Sequence, residues 1–132
     1  MNIRDVRTRW INVDKDVDKA RQMQELLDGL GFTNHERVSA VTGIQAHEGV
    51  RHGEEHYRSC AESHFKILEE TILSDGQPVL ILEDDVDFDM DLFTPDIPLP
   101  ENADAFYYGI SHGDGNYEAD KICDGIVKIQ EV

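Results

Sequence analysis

Glu83-Asp84-Asp85 follows Pro78-Val-Leu-Ile-Leu82, the most hydrophobic stretch of the chain. A continuous apolar run of that length fits a central strand covered on both faces. In open α/β sheets, ligands bind just beyond the carboxyl ends of the strands. With extended geometry carried forward, Glu83 and Asp85 share one face and Asp84 takes the other. Two carboxylates converging at a strand end suit a hard divalent cation, Mg²⁺ or Mn²⁺, which takes oxygen ligands and bridges to substrate phosphates. The plain alternative is a solvated acidic loop in an acidic protein.

Three other patterns invite a chemical reading, and each has a simpler one. Asp85, Asp87, Asp89 and Asp91 alternate as in a calcium loop, but Met90 stands where that loop needs glycine and Asp96 where it needs glutamate. The preceding segment also reads as a strand and not a helix, so a calcium loop is rejected. His52-Gly-Glu-Glu-His56 fits the H-x-x-E-H zinc pattern. Gly53 weakens the helix that this pattern requires, and spacing offers no third ligand, so surface histidines are the expectation. Cys60 and His64 lie four apart on a predicted helix, where a thiol–imidazole pair could form. The simpler reading makes Cys60 a small buried hydrophobe and His64 a histidine at the core edge.

Strands and helices alternate around these residues. Trp10-Ile-Asn-Val13 reads as a strand, followed by a helix with Ala20, Met23, Leu27 and Leu30 on one face and Gly31 as its stop. Arg37–Val41 reads as a second strand and residues 44–55 as a loop. A second helix over 57–73 sets Tyr57, Ala61, Phe65, Leu68 and Ile72 on one face. Pro78–Leu82, Ala105–Tyr108 and Gly125–Ile129 read as further strands, and residues 111–120 as a loop. This order predicts an α/β layer fold with a mainly parallel sheet.

Composition narrows the function. Of 132 residues, 28 are acidic and 12 basic, giving a net charge of −16. Such a charge disfavours nucleic acid and anionic membranes as partners. At 39% hydrophobic, the chain is too apolar for a disordered acidic tail. No apolar run approaches a membrane span. The charged start, Met1-Asn-Ile-Arg-Asp, is unlike a signal peptide, so a cytoplasmic location is expected.

Four segments occur in one order: Ile11-Asn-Val-Asp-Lys with the residues to Arg21, Glu36-Arg-Val-Ser-Ala-Val-Thr-Gly43, Ser59-Cys-Ala-Glu-Ser-His64, and Val79-Leu-Ile-Leu-Glu-Asp-Asp-Val86. Together the chain resembles the family 25 glycosyltransferases, which include lipopolysaccharide (lipooligosaccharide) and collagen galactosyltransferases. That family shows I-N-L-D-R, E-R-x-x-A-x-D-G, G-C-x-x-S-H and I-L-E-D-D. The resemblance implies a GT-A-like fold with helices flanking the sheet, holding a nucleotide-sugar, usually a UDP-hexose, through Mn²⁺ or Mg²⁺. Carried over, Asp85 and Glu83 ligate the metal, and Glu83 also reaches the donor's ribose or sugar. Asn12 and Asp14 lie near the base, Asp84 completes the acidic motif, and Ser63 and His64 support the site. The implied reaction is hexosyl transfer to a hydroxyl of a surface-glycan acceptor.

The chain also departs from the family pattern. Lys15 replaces arginine, Thr42 replaces the aspartate of D-G, and Ser59 replaces the glycine of G-C. Lysine keeps the charge but loses the planar fork for phosphate. The chain ends at Val132, where family members continue, so the expectation is a single domain over 1–132 holding the donor half without an acceptor half. On that reading the chain alone has no transfer activity, and an uncovered sheet edge invites a homodimer. The rival is a non-catalytic relative that binds nucleotide-sugar or a protein partner.

Overall fold

Trp10, Ile11 and Asn12 are the best-protected run of any strand here, and the sheet is built around them. The computed structural model of the chain describes residues 1–43, 54–91, 93–98, 104–106, 117–123 and 126–131. They form two compact units, Met1–Ile97 and Pro98–Val132, within the span expected to be a single domain.

The first unit opens with a short 3-10 turn, Ile3–Asp5, and continues as β1 (Arg7–Asn12), α1 (Val17–Leu30), β2 (His35–Ser39), α2 (Glu54–Ser74) and β3 (Val79–Glu83). All three strands are parallel in the order β2-β1-β3. The result is a mixed α/β fold. Central position falls to β1, not to the hydrophobic β3, which lies at the edge among the described residues and is only half-buried. Arg7 and Arg9 disguise β1 in the sequence; they sit at its start and pair outward with Asp75 and Glu36.

Register assigns the helices to opposite faces. His35 pairs laterally with Thr8, and its Nε2 meets Asp28 of α1 at 2.8 Å, so α1 covers the Thr8–Trp10–Asn12 face. Glu83 pairs with Ile11, and its carboxylate meets His64 of α2, so α2 covers the other face. The β1-to-β2 and β2-to-β3 crossovers run in opposite directions across the sheet, and right-handed crossovers of that kind put their helices on opposite faces. Burial of both Trp10 and Ile11 follows from this placement. The Trp10 indole N–H, a donor only, reaches His35 Nδ1 at 3.3 Å, which assigns the ring proton to Nε2, facing Asp28.

Helix α1 agrees with its sequence reading: Met23 and Leu27 are buried, with Ala20 and Leu30 half-buried beside them. Gly31 ends it at φ 81°, in the left-handed region. Its N–H bonds Asp28 O at 3.1 Å, and the Phe32 N–H bonds Leu27 O at 3.0 Å, the paired bonds of a Schellman stop.

Helix α2 does not agree. The face expected to turn inward, through Tyr57, Ala61, Phe65, Leu68 and Ile72, is exposed. Ser63 and Ile67 are buried instead, with Ser59, Cys60 and Thr71 half-buried on the same side. Burial of hydroxyls is possible because each is bonded: Ser63 Oγ to Ser59 O at 2.8 Å, and Thr71 Oγ1 to Ile67 O at 2.8 Å.

The second unit contains β4 (Tyr117–Cys123) and β5 (Ile126–Glu131), an antiparallel pair. Residues 117–120, expected in a loop, are therefore strand, and Ile126–Ile129 match the expected last strand. The intervening Asp124-Gly125 dipeptide is a hairpin signal that the polar run concealed. Ala105 and Phe106 are not in a strand, and Tyr107 and Tyr108 lie outside the described residues. The same holds for 44–53 of the expected 44–55 loop, whereas Glu54 and Glu55 already belong to α2. No helix among the described residues is long and apolar enough to cross a membrane.

Two glycines near the end of α1 should respond oppositely to alanine. Gly31→Ala forces a Cβ into the left-handed region and should cost about 1 kcal/mol. Gly29 lies within the helix, and a Cβ added there meets nothing within 4 Å, so Gly29→Ala should gain up to about 1 kcal/mol. Urea midpoints of the two variants should move in opposite directions at unchanged slope.

Candidate functional site

A cleft of about 530 Å³ opens at the carboxyl edge of the parallel sheet, a size that suits a small-molecule ligand. Its walls come from the end of β1 with the first turn of α1, the residues 40–43 after β2, the inner side of α2, and Glu83–Asp85 after β3. The strand order β2-β1-β3 reverses direction at β1, which is where doubly wound sheets bind ligands.

Asn12 holds this edge together. Its buried side-chain amide donates to Asp84 Oδ2 at 2.7 Å and to Asp16 O at 3.2 Å, and its Oδ1 accepts from Arg37 Nε at 2.7 Å. One side chain thereby ties β1 to β2, to the start of α1 and to the end of β3. Both of its N–H groups are used within the protein, so Asn12 acts as a tie across this edge.

Asp14, expected beside it, is mostly exposed and is not among the residues lining the cleft. Its carboxylate takes hydrogen bonds from Arg37 Nη2 and from Ser39 Oγ. The Arg37 bond, followed by that of Ser39, holds its carboxyl below the ordinary carboxylate range. Sequence reasoning passes over Arg37. Its signal is a cation one lateral pair from Asn12, since Arg37 pairs with Trp10 and Ser39 with Asn12.

The acidic run divides at once. Strand geometry ends at Glu83, and a turn bonds the Val86 N–H back to Glu83 O. Asp84 folds toward Asn12, with Lys19 Nζ at 3.7 Å from its Oδ1. Glu83 meets His64 Nε2 at 3.0 Å, and Asp85 is exposed at the cleft wall. The later aspartates serve the backbone: Asp87 Oδ1 accepts from the Phe88 N–H and Asp89 Oδ1 from the Asp91 N–H. Phe88 and Phe93 pack edge to face and both lie against Phe32, which pins this return segment. Among the described residues, no three His, Cys, Asp or Glu side chains are arranged to hold a metal ion.

The inner side of α2 supplies the remaining wall. Ser63 Oγ accepts the Val41 N–H at 2.9 Å and so clamps the segment after β2 to the helix. Cys60 Sγ lies 3.9 Å from His56 Nε2, not beside His64. Burial, and next the carboxylates of Glu83 and Asp85, push the Cys60 thiol above its ordinary pKa. A thiol held protonated in this way is not an activated nucleophile. His56 is exposed, and His52 lies outside the described residues.

Sequence reasoning brings Asn12, Ser63, His64, Glu83, Asp84 and Asp85 to this region, and all six line the cleft. It misses Asp16 and Lys19, which the first turn of α1 delivers. Comparison with protein-family models, curated proteins and solved structures finds no match to the chain.

Two outcomes follow from this geometry. Asn12→Ala strands Asp84 and Arg37 Nε and should cost about 2–3 kcal/mol in urea unfolding; a loss within about 0.5 kcal/mol would contradict the tie. Asp14 favours the fold above its unfolded pKa, near the ordinary 3.8, and that contribution is lost as pH falls through its lower folded value. Carboxyl NMR titration should return Asp14 toward the ordinary range in Arg37→Gln.

Proposed function

We propose that the first unit is the donor-binding part of a GT-A-like, metal-dependent glycosyltransferase of the family 25 type, binding a nucleoside diphosphate sugar, most simply a UDP-hexose. One observation carries this reading. Every residue lining the cleft except His56 belongs to one of the four segments on which the family resemblance rests. Those segments lie far apart in the chain, and parallel pairing brings their ends to one edge. Residues that merely filled a core would be spread through the sheet.

Charge decides what the ligand must bring. Among the described residues, Asp16, Glu83, Asp84 and Asp85 face the cleft with one cation, Lys19, in a chain of net charge −16. A diphosphate entering alone meets like charge, so its binding needs a divalent cation. Asp84 is committed to Asn12 and Lys19, whereas Asp85 is exposed and Glu83 is held by a single bond to His64. Glu83 and Asp85 are therefore the hard oxygen donors offered to a cation, and one or two carboxylates suffice for Mg²⁺ when phosphates complete its shell. Bound there, the cation supplies charge neutralisation for the leaving diphosphate. Asn12 and Ser63 keep the walls in place, His64 orients Glu83, and Lys19 stands ready for a phosphate oxygen.

Calorimetry with UDP supplies the test. Binding should require Mn²⁺ or Mg²⁺, and Asp85→Ala should weaken it by about tenfold or more, some 1.4 kcal/mol. Equal UDP binding with and without metal, in the wild type and in Asp85→Ala, would overturn the reading.

A further inference from the structure

Among the described residues, the outward side of α2 carries large apolar side chains that are left exposed. Tyr57 is 75% exposed, Phe65 63%, Leu68 41%, Ile72 74% and Leu73 79%. Tyr57, Ala61, Phe65, Leu68 and Ile72 follow steps of three and four, so they form one continuous strip along the helix. The exposed part is on the order of 600 Å², the upper end for the largest apolar patch on a monomer. Ser63 and Ile67 point the other way, to the cleft wall and the sheet, so the strip is separate from the proposed donor site.

We infer that this strip is the contact of a two-fold homodimer in which two copies of α2 pack antiparallel about Phe65. The charges beside the strip select that arrangement. Arg58, Glu62, Lys66 and Glu69 lie along one flank. Antiparallel packing brings the same flank of both helices together. With Phe65 near the two-fold axis, Arg58 of each copy stands opposite Glu69 of the other, and Glu62 opposite Lys66. In the same register Tyr57 meets Ile72 and Leu73, and the small Ala61 leaves room for Leu68. Parallel packing about a two-fold would put this flank of the two helices on opposite edges of the seam, where none of these charge pairs can form.

Self-association also suits the rest of the chain. A net charge of −16 and a strip edged by Glu62 and Glu69 repel an anionic membrane, while a second copy brings its own Arg58 and Lys66 to those glutamates. Two strips together offer about 1,200 Å² for burial, the low end for a specific interface, which suits a reversible dimer. A self-complementary patch of this kind closes on itself as a dimer and does not propagate.

Sedimentation equilibrium of the full chain from about 1 to 200 µM tests the inference. The wild type should pass from monomer to dimer across that range. Phe65→Glu should raise the dissociation constant at least about tenfold while its circular dichroism and melting stay unchanged, because Phe65 is exposed. Arg58→Glu should weaken the dimer, and Arg58→Glu combined with Glu69→Arg should restore it. A wild type that stays monomeric at the highest concentration overturns the inference, as does a dimer indifferent to Phe65→Glu. A defect in Arg58→Glu that the double variant leaves unrepaired rules out the antiparallel register.

Discussion

The carboxyl edge of the sheet depends on one buried amide. Parallel strands are held along their length by evenly spaced backbone bonds, but at their ends those bonds stop and the chain turns away. Asn12 takes over at that point, joining the start of α1, the Arg37 side chain of β2 and the Asp84 carboxylate beyond β3. No charged residue could do this as well. An aspartate would repel Asp84, and a lysine would offer nothing to Arg37. An amide is both donor and acceptor, and it carries no charge that burial would penalise.

From that tie follows the division of labour among three consecutive acids. Asp84 is drawn inward, where Asn12 and Lys19 offset its charge. Its neighbours are thereby turned toward the cleft and the helix opposite. Glu83 finds His64, and Asp85 stays in solvent. The run thus contains one carboxylate bound into the fold from two sides and two that are more exposed to the cleft. Alternation along a strand, as read from the sequence, does not produce this pattern, because the chain has already turned by Val86.

Much of the first unit was legible in the sequence. The order of strands and helices, the inward stripe of α1 and the Gly31 stop all follow from periodicity and from the left-handed conformation that glycine accepts. The central strand was not legible, because two arginines at the start of β1 hide a buried Trp10-Ile-Asn behind surface charge. The face of α2 was not legible either. Hydropathy favours a core of tyrosine, phenylalanine and leucine, but local hydrogen bonds let Ser63 be buried instead, with Ser59 and Thr71 half-buried beside it. The residue types singled out in the sequence gather at one edge of the sheet, while Asp14 lies off the cleft: its partners Arg37 and Ser39 come from another strand, and only the register reveals them.

The unexpected orientation of α2 is what lets one helix present two different surfaces. Its inner side lies against the segment after β2, and the contact is specific: the Val41 N–H reaches Ser63 Oγ at 2.9 Å. A bulky residue at position 63 would lose that bond and push the segment away from the cleft. Small hydroxyl residues are therefore required on the side that shapes the cleft, and the helix cannot also obtain its apolar burial there. Ile67 alone among its described apolar side chains is fully enclosed. The large side chains are displaced to the outer surface by this constraint. An apolar outer strip is thus a structural consequence of a helix whose inner face is committed to polar contacts with the site.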